Sequence, residues 1–309
     1  MNEFEILQNL LREKAELKSR LNLLPYDGTP EVKEMSSGKY LYIRKRIGNK
    51  VTSTYVGTYS DDLYNLLVKN AKESKELKKK IRLIDKKLAE IGYSEEELDS
   101  KVVLNLEFAR SNMKQIIYDQ AVLEGVSTTF PDTETIIDNG LVNNVSSVDV
   151  QKILNLKHAW EFVLDKDVIL APSNYYLASY IAKIVNEGFY QDGGRIRGVP
   201  VTIGGSSYIP PLPIEAIVKE SIDNITNNND KIGNAIELLL YVMKTQIYND
   251  GNKRTAVIFA NHYMISNGLG LIIIPYDKVQ EFRELLVLYY ENKDLNSIRD
   301  FLRKCVNTF

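Results

Sequence analysis

The chain has 309 residues, enough for two domains, and 44% of them are hydrophobic, so each domain can bury a core. A formal net charge of −2 gives no global basic field for nucleic acid, and the one cysteine, Cys305, excludes a disulfide framework and a cysteine-based zinc site. No apolar run reaches the ~18 residues of a membrane span and the N-terminus lacks a signal-peptide pattern, so we expect a cytoplasmic protein.

Two stripes of leucine and isoleucine frame the N-terminal region, one in residues 3–24 and one in residues 77–91. Within each stripe the apolar residues recur at steps of three and four, which is typical of helices that pack on one another. Lys14 interrupts the first stripe. We predict an antiparallel helical hairpin or coiled coil.

Between these helices, residues 39–59 alternate in polarity around Gly48 and Asn49, which predicts two strands joined by a turn. Asp27 to Pro30 is predicted to be a separate turn. One strand face is apolar and the other is aromatic and basic; the members are Leu41, Ile43 and Ile47 on the first, and Tyr40, Tyr42, Arg44 and Arg46 on the second. The second face has the residue types that stack bases and contact phosphates, but an ordinary solvated face is favoured.

We place a domain boundary between residues 93 and 94, because Gly92 ends a helix and Ser94 to Glu97 has the composition of a new helix start. A helical run then covers residues 101–123 and stops at Glu124-Gly125. Further on, the glycine-bounded segment 193–205 predicts a hairpin.

The most informative stretch is residues 246–256, Gln-Ile-Tyr-Asn-Asp-Gly-Asn-Lys-Arg-Thr-Ala, set between two apolar helical runs. Its Asn-Asp-Gly-Asn centre is turn chemistry, in which Gly251 can take a positive φ. Lys253 and Arg254 then begin a helix, where free amide donors and the helix dipole already favour anions. This loop is suited to hold a phosphate.

The same stretch resembles the signature of the Fic/Doc (Fido) family, His-x-Phe-x-Asp/Glu-Gly-Asn-Gly/Lys-Arg. Five consecutive positions, Asp250 to Arg254, match one for one, and Tyr248 stands at the aromatic position. The resemblance implies that Asp250 holds Mg²⁺ and that Gly251, Asn252, Lys253 and Arg254 cradle the phosphates of ATP.

Gln246 departs from the pattern, because the family has its catalytic histidine there. An amide has no useful proton affinity near pH 7, and losing a positioned base typically costs ~10²–10⁴ in rate. The chain has only His158 and His262 to substitute, and both are predicted to be structural.

Two further regions resemble the family in the expected order. Residues 101–125 end as the family's inhibitory helix does, which implies an inhibitory Glu124; its usual arginine partner would stand at Val257 here, so we expect Glu124 to lack that partner. Residues 195–209 resemble the β-hairpin flap that docks a protein target, with Arg197, Val201 and Ile203 as docking residues.

The resemblance implies a mainly α-helical, Fic-type bundle with a β-hairpin flap over residues 94–309. Residues 1–93 would precede it as a small helical hairpin with a β-hairpin tip. The implied activity is transfer of AMP from ATP to a protein hydroxyl, impaired or altered by Gln246. The alternatives are a silent nucleotide-binding or protein-interaction module and a Doc-like protein kinase. A nucleic-acid partner for residues 1–93 is less favoured, no membrane partner is expected, and the oligomeric state stays open, a homo-oligomer included.

Overall fold

A computed structural model describes residues 3–47, 50–93, 98–140, 142 and 145–309. The predicted mainly α-helical class is confirmed. The helices are α1 Glu3–Leu23, α2 Asp61–Glu90, α3 Ser100–Ser111, α4 Met113–Leu123, α5 Phe130–Ile137, α6 Ser147–Val163, α7 Lys166–Ile169, α8 Tyr175–Val185, α9 Glu215–Thr226, α10 Lys231–Thr245, α11 Asn252–Ser266, α12 Val279–Tyr290 and α13 Ser297–Lys304. The strands are β1 Thr29–Met35, β2 Gly38–Ile47, β3 Lys50–Thr58, β4 Leu271–Ile272 and β5 Val306–Asn307.

The chain divides into two compact units, Met1–Glu95 and Glu96–Phe309. The predicted helix start at Ser94 to Glu97 lies outside the described residues, as does the turn at Gly48 and Asn49. Across the described residues, no helix is both long and apolar enough to cross a membrane.

In the first unit, α1 and α2 pack along the two predicted stripes, and α2 begins well before the predicted residue 77. The shared core is made by Leu11, Leu17, Leu77, Ile84 and Leu88. Lys14 is tolerated in this seam because its ammonium reaches Asp85 at 2.9 Å. A buried cation needs such a partner.

The sheet of the first unit has three antiparallel strands in the order β1-β2-β3, one more than predicted. The prediction of a turn through Pro30 was wrong at its end, because β1 begins at Thr29. Proline cannot donate to a ladder, and it is accommodated here because β1 is an edge strand. Leu41 and Ile43 turn inward and pack with Leu67 of α2.

The second unit opens with two helices where one was predicted. Asn112 ends α3 and begins α4, and its side-chain amide donates to the Phe108 carbonyl at 2.9 Å. Asparagine competes in this way with the helical backbone, which explains the break.

Helix α11 lies at the centre of the second unit, with nearly every side chain from Arg254 to Ile265 buried. It packs against α10, α8, α6 and α3, and it is thus fixed on most sides. In the second half of α11, the Asn261 side chain donates to the Ile272 carbonyl of β4 and accepts from the Ile272 N–H. The loop that precedes α11 therefore stands on a rigid support.

Candidate active site

Both ends of the signature loop have left-handed backbone. Gln246 ends α10 with φ 49° and Gly251 precedes α11 with φ 70°. A Cβ at position 251 would also lie 2.8 Å from Asn186 Oδ1 and 3.1 Å from Val185. Glycine is required at 251 for both reasons.

Asn252 holds the loop together from inside. Its Oδ1 accepts from the Tyr248 N–H at 2.9 Å, and its Nδ2 donates to the Tyr248 carbonyl at 2.8 Å and to Gln246 Oε1 at 3.2 Å. The side chain is buried. Asn252 was predicted to belong to the phosphate cradle; in the structure its side chain shapes the loop, and the cradle role stays a prediction.

Arg254 is the most constrained cation of the loop, with only 1% of its surface exposed. One terminal nitrogen donates to the Val185 carbonyl at 2.7 Å, and the other donates to Asp250 Oδ2 at 2.9 Å. Its Nε lies 3.3 Å from Glu124 Oε2, at an angle that makes an ion pair but no hydrogen bond.

Glu124 therefore has a cationic partner in Arg254, although the family's second arginine is absent at Val257 as expected. Helix α4 ends at Leu123, and the next residue, Glu124, lies against the signature arginine. Arg283 fixes that end by donating to the Val122 and Leu123 carbonyls at 3.0 and 3.1 Å. Glu124 Oε1 is buried without a hydrogen-bond partner among the described residues, so its charge is balanced by Arg254 alone on that side.

Gln246 is held by its own surroundings. Its amide nitrogen donates to the Met243 carbonyl at 2.6 Å, and its oxygen accepts from Asn252. The two histidines do not replace it. His262 is buried between Ser173 and the Val168 carbonyl, each at 2.8 Å, and His158 is buried 3.4 Å from Glu187.

Arg197 joins the predicted flap to the signature loop. It is 1% exposed, and its guanidinium donates to the carbonyls of Gln246 at 2.5 Å, Val199 at 2.8 Å and Pro211 at 2.6 Å. Burial lowers the pKa of Arg197 below its ordinary value. Arg197 was predicted to dock a target, but the structure makes it the internal anchor of the flap.

The flap differs from the predicted hairpin in its hydrogen bonding. Residues 197–209 form no strand ladder, and the segment meets the loop through one antiparallel bridge between Ile196 and Tyr248. Pro200 cannot donate to a ladder, and Gly204 with Gly205 favours a turn. Val201 and Ile203 are half-buried, while Val199 and Ile209 are 56% and 66% exposed.

Asp250 is the most accessible charged group of the loop, with 49% of its side chain exposed. Among the described residues, no group of three His, Cys, Asp or Glu side chains is placed to hold a metal ion. A lone carboxylate nevertheless suits Mg²⁺, which is usually bound by one or two carboxylates together with substrate phosphates and water. Asp250 fits this ion, because only one of its oxygens takes the hydrogen bond from Arg254.

The first turn of α11 leaves its amides available. Gly251 offers no side chain, and no capping hydrogen bond from a side chain reaches that turn. Lys253 is half-buried beside it and has no hydrogen-bond or ion-pair partner among the described residues. Amides, dipole and ammonium are all groups that favour an anion.

Two positioning residues were missed from the sequence. Asn186 donates to the Asp250 carbonyl at 2.9 Å and to the Gly193 carbonyl at 3.2 Å, which ties the loop to the start of the flap segment. Gln120 donates to the Arg254 carbonyl at 2.9 Å and accepts from Trp160 at 2.8 Å. Only Gln120 had a sequence signal, since it stands where the family's inhibitory helix has Ser or Thr.

The helical bundle, the loop and the helix that follows it define a protein with a Fic fold. A family profile described as the Fic/DOC family matches residues 174–264, so the chain carries a Fic/DOC-family domain. A second profile, a domain of unknown function called DUF6788, matches residues 4–65. No curated protein matches the chain significantly.

Solved structures support the fold. Fic-1 from C. elegans is similar with a TM-score of 0.52 and 18% identity, over 77% of this chain and 73% of that one. A Fic family protein from Desulfovibrio desulfuricans G20 has a TM-score of 0.52 and 14% identity, over 69% of this chain and 74% of that one. A Fic-domain signalling protein from Bacteroides thetaiotaomicron VPI-5482 has a TM-score of 0.52 and 15% identity, over 68% of this chain and 87% of that one.

Proposed function

We propose that this protein is a Fic-type adenylyltransferase that moves AMP from ATP to a hydroxyl of a protein side chain. One observation carries the proposal: a half-exposed carboxylate, an uncapped helix start and a buried arginine meet within residues 250–254. Together they offer a site for Mg²⁺ and for several negative phosphate oxygens. The Fic/DOC profile over the same loop supports this use.

In the proposed reaction, the hydroxyl oxygen of the target forms a bond to the α-phosphorus of ATP while the bond to the β-phosphate oxygen breaks, and pyrophosphate leaves. Mg²⁺ bound at Asp250 would neutralise phosphate charge. The α11 amides and Lys253 would orient the phosphates, and fixed donors of this kind lower the barrier without reorganising. The hydroxyl proton passes to solvent, since Gln246 cannot accept it.

The position of Gln246 predicts a slow transfer. Its amide is bonded at both ends, so it contributes neither a proton acceptor nor a mobile side chain. A missing base costs ~10²–10⁴ in rate. We expect Gln246→His to raise the rate of transfer.

We also propose that Glu124 restrains the site. Arg254 can meet a phosphate only if it gives up part of its present environment, and Glu124 at 3.3 Å is the partner that an anionic ligand would replace. A ligand that binds must then separate a buried ion pair, which lowers its affinity.

The target would lie along the flap. Residues 197–209 have no strand ladder, and the backbone groups of residues 200–202 take no hydrogen bond from the described residues, so an extended segment of another protein can pair there. Val201 and Ile203 border this path, and the exposed Val199 and Ile209 extend it. Arg197 acts behind it by fixing the flap to the loop.

A second candidate is a nucleotide-binding module that does not transfer AMP. The two hydrogen bonds that occupy the Gln246 amide favour it, because the residue at the position of the family's base cannot accept a proton from a target. A Doc-like kinase is the third candidate, because a loose phosphoryl transfer depends mainly on positioning and charge.

Intact-mass spectrometry after incubation with Mg²⁺ and ATP labelled in its α- or γ-phosphate separates these candidates. The proposal predicts that an AMP adduct forms on the chain itself, slowly in the native protein and faster in Gln246→His. Gln246→Ala is the control. Addition of the γ-phosphate would identify a kinase. Binding of ATP with no adduct in either chain would identify the silent module, and no binding would overturn the site.

A further inference from the structure

The two units carry opposite net charge. Residues 1–95 contain 19 Lys and Arg against 14 Asp and Glu, a net charge of +5, whereas residues 96–309 contain 20 against 27, a net charge of −7. The overall charge of −2 conceals this contrast. A basic unit attached to an acidic one points to a separate anionic partner for the basic unit.

The basic unit displays an aromatic and basic sheet face, which we define as the described residues Glu31, Lys33, Tyr40, Tyr42, Arg44, Arg46, Ser53 and Tyr55. Leu41 and Ile43 are buried beneath the sheet, so their neighbours along β2 must point to the opposite side. The register then places Tyr42 opposite Tyr55 and Arg44 opposite Ser53. In β1, Glu31 lies opposite Tyr42 and Lys33 opposite Tyr40.

The aromatic part of this face is a platform of three tyrosines. The Tyr55 ring lies 5.5 Å from the Tyr42 ring and 6.2 Å from the Tyr40 ring, measured between centroids. Tyr55 is 53% exposed although it sits mid-strand. Tyr40 and Tyr42 are half-buried beside it. An exposed ring with other rings beside it on a sheet can stack unpaired bases, whatever the base, because every base has a π-face.

Two cations lie beside the rings on the same face. Lys33 Nζ lies 4.2 Å from the centre of the Tyr42 ring, and Arg44 is exposed two residues further along the same strand. The acid on this face among the described residues is Glu31, and its carboxylate already accepts from Ser53 at 3.1 Å and pairs with Lys33 at 3.8 Å. The face is therefore positive around an aromatic centre.

A basic groove continues from the edge of the sheet. Its charged lining has five cations of α2 against two acids, with Gly28 and Thr29 on the sheet side; the cations are Lys72, Lys75, Lys78, Lys79 and Arg82, and the acids are Asp27 and Glu76. Thr29 lies directly opposite Arg44 in the sheet register. The groove lies on the α2 side of the sheet, opposite the aromatic and basic face, and adds positive charge at the β1 edge.

We infer that the aromatic and basic sheet face of residues 29–58 binds single-stranded nucleic acid, with Tyr55 and Tyr42 stacking bases and Arg44 and Lys33 contacting phosphates. RNA and DNA single strands share this chemistry. A solvated face explains the charges but not three clustered rings, one of them more than half exposed, at the centre of the sheet. A duplex hides its bases in a stack, so the platform favours unpaired strands.

Fluorescence anisotropy of the full chain with labelled 20-nucleotide single strands of RNA and of DNA, and with the matched duplex, tests this inference. We expect both single strands to bind more tightly than the duplex. Tyr55→Ala should weaken binding by roughly 5- to 150-fold, the range for losing one stacked base, whereas Tyr55→Phe should retain it. Tyr190→Ala, which removes a tyrosine 45% exposed in the other unit, is the matched control.

The salt dependence tests the cations separately. Arg44→Gln should reduce the slope of log affinity against log salt by about 0.7, the value for one phosphate contact on a single strand, and Lys304→Gln should leave it unchanged. Both positions are exposed, so the variants should fold, which circular dichroism checks. Tighter binding to the duplex, no binding of either single strand, or an unchanged affinity in Tyr55→Ala would overturn the inference.

Discussion

The signature loop and the flap are neighbours in the same unit, yet they are built in opposite ways. In the loop Asn252 and Arg254 are buried and bonded internally, and the left-handed turn at Gly251 leaves no room for a side chain. In the flap the backbone of residues 197–209 forms no ladder, and Val199 and Ile209 are mostly exposed. This difference suits the proposed function, in which the loop holds chemically uniform phosphates and the flap meets protein targets that vary.

The link between the two regions gives the largest expected effect. Arg197→Ala removes a buried guanidinium and leaves the carbonyls of Gln246, Val199 and Pro211 without their donor. We expect a loss of roughly 3–5 kcal/mol in the free energy of unfolding, by analogy with breaking a buried charged network. Denaturant unfolding measures it.

Arg195→Ala is the matched control, because Arg195 is 79% exposed and pairs only with Asp192 in the described residues. Exposed pairs contribute ~0–1 kcal/mol. Equal losses in the two variants would show that Arg197 is not the anchor of the flap.

The rigidity of the loop depends on Asn252. Asn252→Ala leaves the N–H and the carbonyl of Tyr248 buried without their partner, which should cost roughly 2–4 kcal/mol of unfolding free energy. Asn249→Ala, at an exposed loop position, should change stability little. If Asn252→Ala unfolds at the native denaturant midpoint, the loop is not held from inside as described.

The left-handed turn makes a similar prediction. Gly251→Ala combines a φ of 70° with a Cβ 2.8 Å from Asn186 Oδ1, so we expect a cost of roughly 1–3 kcal/mol and weaker ATP binding. Gly198→Ala is the control in the flap, since its Cβ would meet nothing within 4 Å. Calorimetric melting of both variants measures the cost. A lower melting temperature for Gly251→Ala than for Gly198→Ala shows that position 251 does not tolerate a side chain.

The free energy of unfolding should depend on pH through His262, a residue of α11. Burial lowers the pKa of His262 to about 4, so the ring is neutral at higher pH. Its Nε2 donates to the Val168 carbonyl. The unfolded chain binds the proton near pH 6.5, so this contribution is present above pH 6.5 and is lost as pH falls toward 4. At pH 5 the loss is about 2 kcal/mol, and His262→Asn should flatten that part of the stability curve.

The sequence predicted the parts whose signals are local. The leucine stripes predicted the helical hairpin, and the Asn-Asp-Gly-Asn run predicted the turn before α11 with its positive φ at Gly251. The assignment of Lys253 and Asp250 to ATP and Mg²⁺ stays a prediction.

The contacts that depend on tertiary packing could not be predicted. Glu124 pairs with Arg254, and two residues 130 positions apart in the chain leave no local pattern. The residues around Arg197 in the sequence are the same whether its side chain faces a target or the backbone carbonyls of its own chain. Its burial decides its role, and burial is a property of the assembled bundle.

The central claim is that residues 250–254 hold a nucleotide triphosphate and that Glu124 competes with it for Arg254. Titration calorimetry with ATP and Mg²⁺ tests this most directly on the native chain, Glu124→Ala and Arg254→Ala. We predict that Glu124→Ala binds ATP more tightly than the native chain and that Arg254→Ala loses binding. The same affinity in all three chains would contradict the account.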